Sequence, residues 1–347
     1  MLANPYYLRD SSIVTADPFS DILQLANAQS VVSGGFSAGG RWAIRFPEMD
    51  KIKLSALVKG NCWLRIDGQA DPVRIETGDV LLLSSRQPFV LSSDLDAVPV
   101  EAASVFGHSD TRIAQLGHGD DCVQLGGFIR LDPASGWLLA DVLPTLIHVK
   151  AASPQAAVLQ WLLGQLVHER AAELPGASVA SAQLAQLMFV QLLRAHLASS
   201  GSLAPGWLRA LADMRIAPAL RLMHSDPGKA WHLEELAKSA AMSRTTFALH
   251  FKTVAGVPPL TYLLNWRMRL AERALRDGKT PMATLAQSLG YTSDSAFSNA
   301  FKRTVGMAPK RYRDAARTSA SENQALTISS PMSASPSATQ PQHLRES

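Results

Sequence analysis

Phe247-Ala-Leu-His-Phe-Lys-Thr-Val-Ala-Gly-Val-Pro-Pro-Leu-Thr-Tyr262 and Phe297-Ser-Asn-Ala-Phe-Lys-Arg-Thr-Val-Gly-Met-Ala-Pro-Lys-Arg-Tyr312 are two versions of one pattern. Phe247, Phe251, Lys252, Gly256, Pro259 and Tyr262 recur 50 residues later as Phe297, Phe301, Lys302, Gly306, Pro309 and Tyr312. Upstream, Leu236-Ala237 matches Leu285-Ala286 at an offset of 49, so the second copy carries one extra residue in its turn. A fixed offset of this kind marks a duplicated supersecondary unit, here a helix, a short turn and a second helix. The spacing predicts a first unit with a helix over 233–241, a turn at Met242 and a restart capped by Ser243. The second has a helix over 282–289, a turn through Gly290-Tyr291-Thr292 and a cap at Ser293, since a hydroxyl at an N-cap satisfies an otherwise orphaned backbone N–H.

Phenylalanines at i and i+4 fix one helical face to the core, and the opposite face follows from the geometry. That outer stripe is Thr245, Ala248, Leu249 and Lys252 in the first unit and Ser295, Ser298, Asn299 and Lys302 in the second. Short hydrogen-bonding side chains ending in a lysine suit base edges flanked by phosphate. Arg244, Asp294 and Arg303 complete the candidate DNA-contacting set. The first stripe is less polar: Ala248 and Leu249 fit thymine methyl groups and equally fit ordinary helix surface. Between the units, 260–277 has a helical pattern about 27 Å long, comparable to the roughly 34 Å between successive major-groove faces. Two sub-sites per chain are therefore expected. Arg267, Arg269, Arg273 and Arg276 lie on this helix, as phosphate contacts or as local ion pairs such as one with Glu272.

Charge supports the assignment. Residues 1–204 hold 14 Lys and Arg against 19 Asp and Glu, a balance of −5, whereas 205–317 hold 18 against 8, a balance of +10. A polyanion is the natural partner of the second region. The sign changes at the breaker-rich connector 201–206, which divides a double helix-turn-helix domain (207–317) from what precedes it. From 318 to 347 the chain is dominated by small and polar residues and is expected to be disordered.

Upstream, 41–105 alternates short apolar runs with turn signals such as Lys59-Gly60-Asn61, Asp67-Gly68 and Thr77-Gly78-Asp79, the pattern of an all-β barrel or sandwich. A further strand is expected near 123–131. From Gly136 the pattern turns helical, over 137–143, 155–170 and 178–199. In the last of these Leu184, Leu187, Met188 and Leu192 form a stripe that packs either on the barrel or across a dimer seam. The two cysteines, Cys62 and Cys122, exclude a disulfide framework and a cysteine-rich zinc site, and read as small buried residues or a redox pair. The first twenty residues lack the continuous apolar run of an export signal, and glutamines interrupt the long uncharged stretches, so a cytoplasmic protein with no membrane span is expected.

The segment from Gly290 to Arg313 closely resembles the signature of the AraC/XylS family of bacterial transcription regulators. Gly35-Phe36, 40–47, 61–68 and 76–79, with Leu143-Pro144 and Ile147-His148, are similar to the cupin-like sensor domain of one branch of that family. The resemblance covers roughly 17–317. It implies a multidomain chain: an N-terminal all-β cupin-like barrel over 17–150, helices over 151–200 that help dimerise, and a C-terminal all-α domain of two helix-turn-helix units joined by a linker helix. Where metal-binding cupins place histidines after the Gly78-Asp79 turn, this sequence has Gln87 and Phe89, neither of them a good transition-metal ligand. His108, His118 and His148 lack ligand-like spacing and read as surface or core histidines, so no cofactor is expected. The sequence thus predicts a non-enzymatic, ligand-responsive regulator. Its expected partners are operator DNA, a small-molecule effector, a second copy of the chain and RNA polymerase. A cupin-type enzyme fused to a DNA-binding module is the alternative, but it requires a metal triad or an activated nucleophile that the sequence does not supply. A constitutive architectural DNA binder with a degenerate barrel is a third reading.

Overall fold

The computed structural model describes residues 17–328 apart from 85, 108–112, 133–135, 173 and 200–202, so His108 and 329–347 lie outside the described residues. Helix α1 (Pro18–Leu25) comes first, its N-terminus capped by the Asp17 carboxylate, which accepts from the Phe19 N–H. There follow β1 (Gln29–Ala38), β2 (Ala43–Phe46), β3 (Ile52–Lys59), β4 (Asn61–Ile66), β5 (Val73–Glu76), β6 (Val80–Leu83) and β7 (Phe89–Ser92). Next come β8 (Val100–Glu101), α2 (Ala102–Phe106), β9 (Ile113–Leu116), β10 (Cys122–Arg130), α3 (Trp137–Ala140) and β11 (Leu146–Val149). The strands form two sheets, ordered β11-β6-β3-β10-β1-β9 and β5-β4-β7-β2-β8.

The inward faces bury Phe36, Ile44, Leu57, Leu64, Ile75, Leu81 and Leu91 in one core. Phe46 stacks on Phe89 with centroids 4.6 Å apart. Each such side chain taken out of water contributes about 1.5–3 kcal/mol. Cys62 and Cys122 belong to this core, where the hydrogen bond that the Cys62 thiol donates to Cys122 and burial together push the Cys62 thiol up. Asp79, only 3% exposed, ties the domain together. Its carboxylate accepts from the Glu76 and Ala151 N–H groups and lies 2.7 Å from His148 Nε2, which makes His148 a structural histidine.

Two details of the β domain depart from the alternation read in the sequence. β1 precedes the expected strands and its apolar alternation is broken by Gly34-Gly35; at Gly35 a Cβ would meet the Gln124 carbonyl of β10 at 2.0 Å, so no side chain fits there. β11 interrupts the region read as helical; Ile147 and Val149 are buried and the strand pairs with β6.

Helices α4 (Ala156–Ala172) and α5 (Ala177–Ala198) follow. Gln186 on α5 clamps the start of β1, accepting from Ser30 N at 2.8 Å and donating to Ala28 O at 3.0 Å. The predicted α5 stripe splits: Met188 and Leu192 are buried, whereas Leu187 is 49% exposed. The buried face also takes in Ala185, Phe189 and Leu193.

The remaining helices are α6 (Trp207–Ala212), α7 (Ala217–Ser225), α8 (Leu233–Ser239), α9 (Arg244–Ala255), α10 (Pro259–Asp277), α11 (Met282–Ser288), α12 (Asp294–Val305) and α13 (Pro309–Ile328). The chain divides by its internal contacts into two compact units at Leu264 and Asn265, within α10. The physical reason is that α6 and α7 pack on α1 and α5, so the first helix-turn-helix belongs to the first unit. α13 continues to Ile328, beyond the Arg317 at which the basic domain was expected to end.

Candidate nucleic-acid interface

The 50-residue repeat is a repeat of packing. In the first unit Phe247 and Phe251 are fully buried, 5.6 Å apart, and Phe251 meets Tyr262 edge-on at 5.8 Å. In the second, Phe297 and Phe301 are fully buried at 5.8 Å, and Phe301 meets Tyr312 at 5.6 Å. The two tyrosine hydroxyls find different partners: Tyr262 lies 2.9 Å from His224 Nε2, and Tyr312 accepts from Arg276 at 2.9 Å. Gly256 and Gly306 end α9 and α12 in the left-handed region, each donating its N–H to the carbonyl of the repeated lysine at 2.9 Å.

The turns agree equally well. α8 ends at Ser239, earlier than the expected Ala241, because Ala241 itself turns left-handed at φ 51°. Its counterpart at the offset of 49 is Gly290, φ 81°. In both turns the following N–H, from Met242 or Tyr291, reaches back 3.0 Å to the carbonyl of Ala237 or Ala286. The extra residue of the second copy therefore falls after Tyr291, at Thr292. Ser243 and Ser293 cap the second helices, accepting from Thr246 N and Ala296 N at 3.2 Å each.

With the aromatic face locked inward, the sequence-chosen residues fall on the outer face. Arg244, Thr245, Leu249 and Lys252 are exposed on α9, with Ala248 half-buried; Asp294, Ser295, Asn299, Lys302 and Arg303 are exposed on α12, with Ser298 half-buried. Leu249 is 68% exposed. Tyr291 sits edge-on to Phe297 at 5.5 Å; burial raises its hydroxyl, against the pull of Arg267 and Arg303.

Of the α10 arginines, two have structural roles within the second unit. Arg269 pairs with the buried Glu272 at 2.7 Å, and Arg276 holds Tyr312. Arg273 is exposed. A group that sequence reading missed flanks α9: His250 Nε2 lies 2.7 Å from Asp213 Oδ2, and the exposed Arg215 guanidinium reaches the same imidazole at 3.0 Å. Asp213 and Arg215 stand in the turn between α6 and α7, where no spacing signal connects them to α9.

Among the described residues no three His, Cys, Asp or Glu side chains are grouped so as to hold a metal ion, and no helix is long and apolar enough to cross a membrane.

Two family models match the chain: a cupin model over residues 17–198 and a helix-turn-helix domain model over 236–315. A putative AraC-like transcription regulator of Streptomyces antibioticus is 40% identical over 297 residues, 86% of this chain and 98% of its own. A protein of the same description from Streptomyces lividans shares the same identity and coverage. The HTH-type transcriptional regulator AlkR of Acinetobacter baylyi is 29% identical over 289 residues, 79% of this chain and 91% of its own. A cupin domain followed by two aromatic-anchored helix-turn-helix units thus places this chain in the AraC-type family of DNA-binding transcription regulators.

Proposed function

We propose that the chain reads an operator through two adjacent major-groove sub-sites, α9 entering one and α12 the other, and that the two sub-sites contribute unequally. The observation that carries this reading is the repeated frame: the same buried Phe, Phe and Tyr set turns the same helical face outward in both units, while the residues on that face differ. On α12, Asn299 and Ser295 offer directional hydrogen bonds to base edges, and Lys302 and Arg303 offer charge to phosphate. On α9, Leu249 and Ala248 offer only apolar contact, with Arg244 and Lys252 at the ends. α12 supplies sequence discrimination, and α9 supplies affinity and register. Arg215, beside α9, is a further phosphate contact.

The cupin domain acts in this reading as a receptor for a small-molecule effector and not as an enzyme. The supporting observation is that the described residues lining a cavity of this domain include no His, Cys, Asp or Glu to ligate a catalytic metal. Dimerisation runs through α4 and α5, a reading supported by the exposed apolar side chains Trp161, Val158 and Leu187, at 62%, 49% and 49% exposure. The protein works in the cytoplasm, with RNA polymerase as a further contact.

Hydroxyl-radical footprinting on a selected genomic fragment tests the central point. Two protected patches per chain on one side of the duplex, one helical turn apart, are expected; a single patch would refute reading by both units.

A further inference from the structure

Helix α1 is tethered to the cupin domain at its C-terminal end: Asp132 N donates to Ala26 O at 2.9 Å, and Gln186 donates to Ala28 O just beyond it at 3.0 Å. The helix packs on α3 of that domain and also on α6 and α7, burying Ile22, Leu23 and Leu25. α7 in turn shares the core of the first helix-turn-helix through Ala219, Leu220 and Met223. At this junction Asp21 Oδ2 of α1 lies 3.0 Å from Nδ1 of His224, an imidazole with no exposed surface. On the other side of the ring, Nε2 lies 2.9 Å from the Tyr262 hydroxyl. Burial favours the neutral imidazole, and one neutral tautomer satisfies both neighbours: Nδ1–H donates to the Asp21 carboxylate, and Nε2 accepts from the tyrosine O–H. Tyr262 meets Phe251 of α9 edge-on at 5.8 Å. A continuous run of contacts therefore leads from α1 to the helix that carries the first outer stripe. The second repeat is built differently, since its tyrosine, Tyr312, accepts from Arg276 of α10. Thr245, Leu249 and Lys252 stay exposed with α1 in place, so this contact supports the outer face of α9 and does not cover it.

We propose that Asp21 and His224 are positioning residues for DNA reading by α9: docked through them, α1 fixes the first reading helix, and the cupin domain thereby acts on one of the two sub-sites alone. The inference rests on the two-sub-site reading above and adds an unequal control to it. The α12 sub-site is read whether or not α1 is docked, and the α9 sub-site is read only with α1 in place. What Asp21 supplies is an acceptor for a buried N–H, which would otherwise be left unpaired when α1 docks. Asparagine at this position offers the same acceptor, and alanine offers none.

The test is hydroxyl-radical footprinting of the full chain on an operator fragment, with operator affinity measured beside it, for wild type, Asp21→Ala, Asp21→Asn and Tyr262→Phe. An iron chelate attached at Thr245→Cys, on the outer face of α9, marks that helix's patch by cleavage. Asp21→Ala is expected to weaken operator binding about tenfold and to lose at least half of the protection in the α9 patch, with the α12 patch fully protected at saturation. Asp21→Asn is expected to stay within about threefold of wild type, because it keeps the acceptor. Tyr262→Phe keeps the ring against Phe251 and removes the hydroxyl, and is expected to reproduce Asp21→Ala. Near-UV circular dichroism establishes that each variant is folded; should Asp21→Ala fail to fold, Tyr262→Phe carries the same expectation. Unchanged patches in Asp21→Ala and Tyr262→Phe, equal weakening of both patches, loss at the α12 patch alone, or an Asp21→Asn as weak as Asp21→Ala would each overturn the proposal. The two readings fail separately. A single patch in wild type removes the two-sub-site reading and this inference with it. Two patches in wild type that respond alike to Asp21→Ala keep that reading and remove the positioning role.

Discussion

Exchanging the turn residues of the two repeats, Ala241→Gly and Gly290→Ala, perturbs one backbone conformation in opposite senses. Ala241 holds φ at 51° and Gly290 at 81°, in turns with the same hydrogen bonds. A left-handed L-residue costs roughly 1–2 kcal/mol, and glycine forfeits roughly 0.5–1 kcal/mol through the freedom it loses on folding. The difference makes Ala241→Gly stabilising by about 0.5–1 kcal/mol. Gly290→Ala is destabilising by about 1 kcal/mol or more, because 81° lies beyond the left-handed well near 57° that alanine tolerates best. Native-state hydrogen exchange is the suitable assay, since it resolves each helix-turn-helix within a multidomain chain. Amides of Leu236 and Ala237 are expected to exchange about threefold to fivefold more slowly in Ala241→Gly, and those of Leu285 and Ala286 about fivefold faster in Gly290→Ala. Unchanged or faster exchange around Leu236 in Ala241→Gly would refute the equivalence of the two turns.

Other expectations follow from the same geometry. Lys302→Ala should weaken binding to all DNA sequences alike and lower the slope of log K against log salt by about 0.9, as for one lost phosphate contact; a loss confined to the operator would contradict this. His224 is buried between Asp21 Oδ2 at 3.0 Å and the Tyr262 hydroxyl at 2.9 Å, and burial holds its imidazole below the ordinary histidine value against the pull of Asp21. The unfolded chain therefore takes up a proton that the folded chain refuses, so this stability is whole above about pH 6.5 and is lost as pH falls below it. Thermal melts of wild type between pH 7.5 and 5 should decline more steeply than those of His224→Gln, and parallel curves would contradict the assignment. Trp161→Glu should shift sedimentation from dimer toward monomer at micromolar concentration; an unchanged profile would remove the α4 face from the proposed interface.

The double helix-turn-helix was legible in the sequence because its frame is made of large residues at fixed spacing: Phe247, Phe251 and Tyr262 cannot be moved without opening the core, so they recur together. The outer stripes followed from helical geometry alone. What escaped was structure that depends on distant partners. β1 was hidden because Gly34-Gly35 breaks its apolar alternation, the close approach to β10 at Gly35 leaving no room for a side chain. The Asp213, His250 and Arg215 group joins residues 35 to 37 apart with no periodic signature. The α5 stripe divided because α5 lies on the sheet along Ala185, Met188, Phe189 and Leu192, a line rotated from the leucines that stand out in the sequence.

The most direct test of the account is a competition binding assay comparing wild type and Asn299→Ala on the operator and on single-base variants of it. Asn299 projects from the exposed face of α12, opposite the buried Phe297 and Phe301. Asn299→Ala is expected to lose about 1–3 kcal/mol of discrimination at one base pair of one sub-site and to keep its preference at every other position. Full retention of specificity at all positions would contradict base reading by α12.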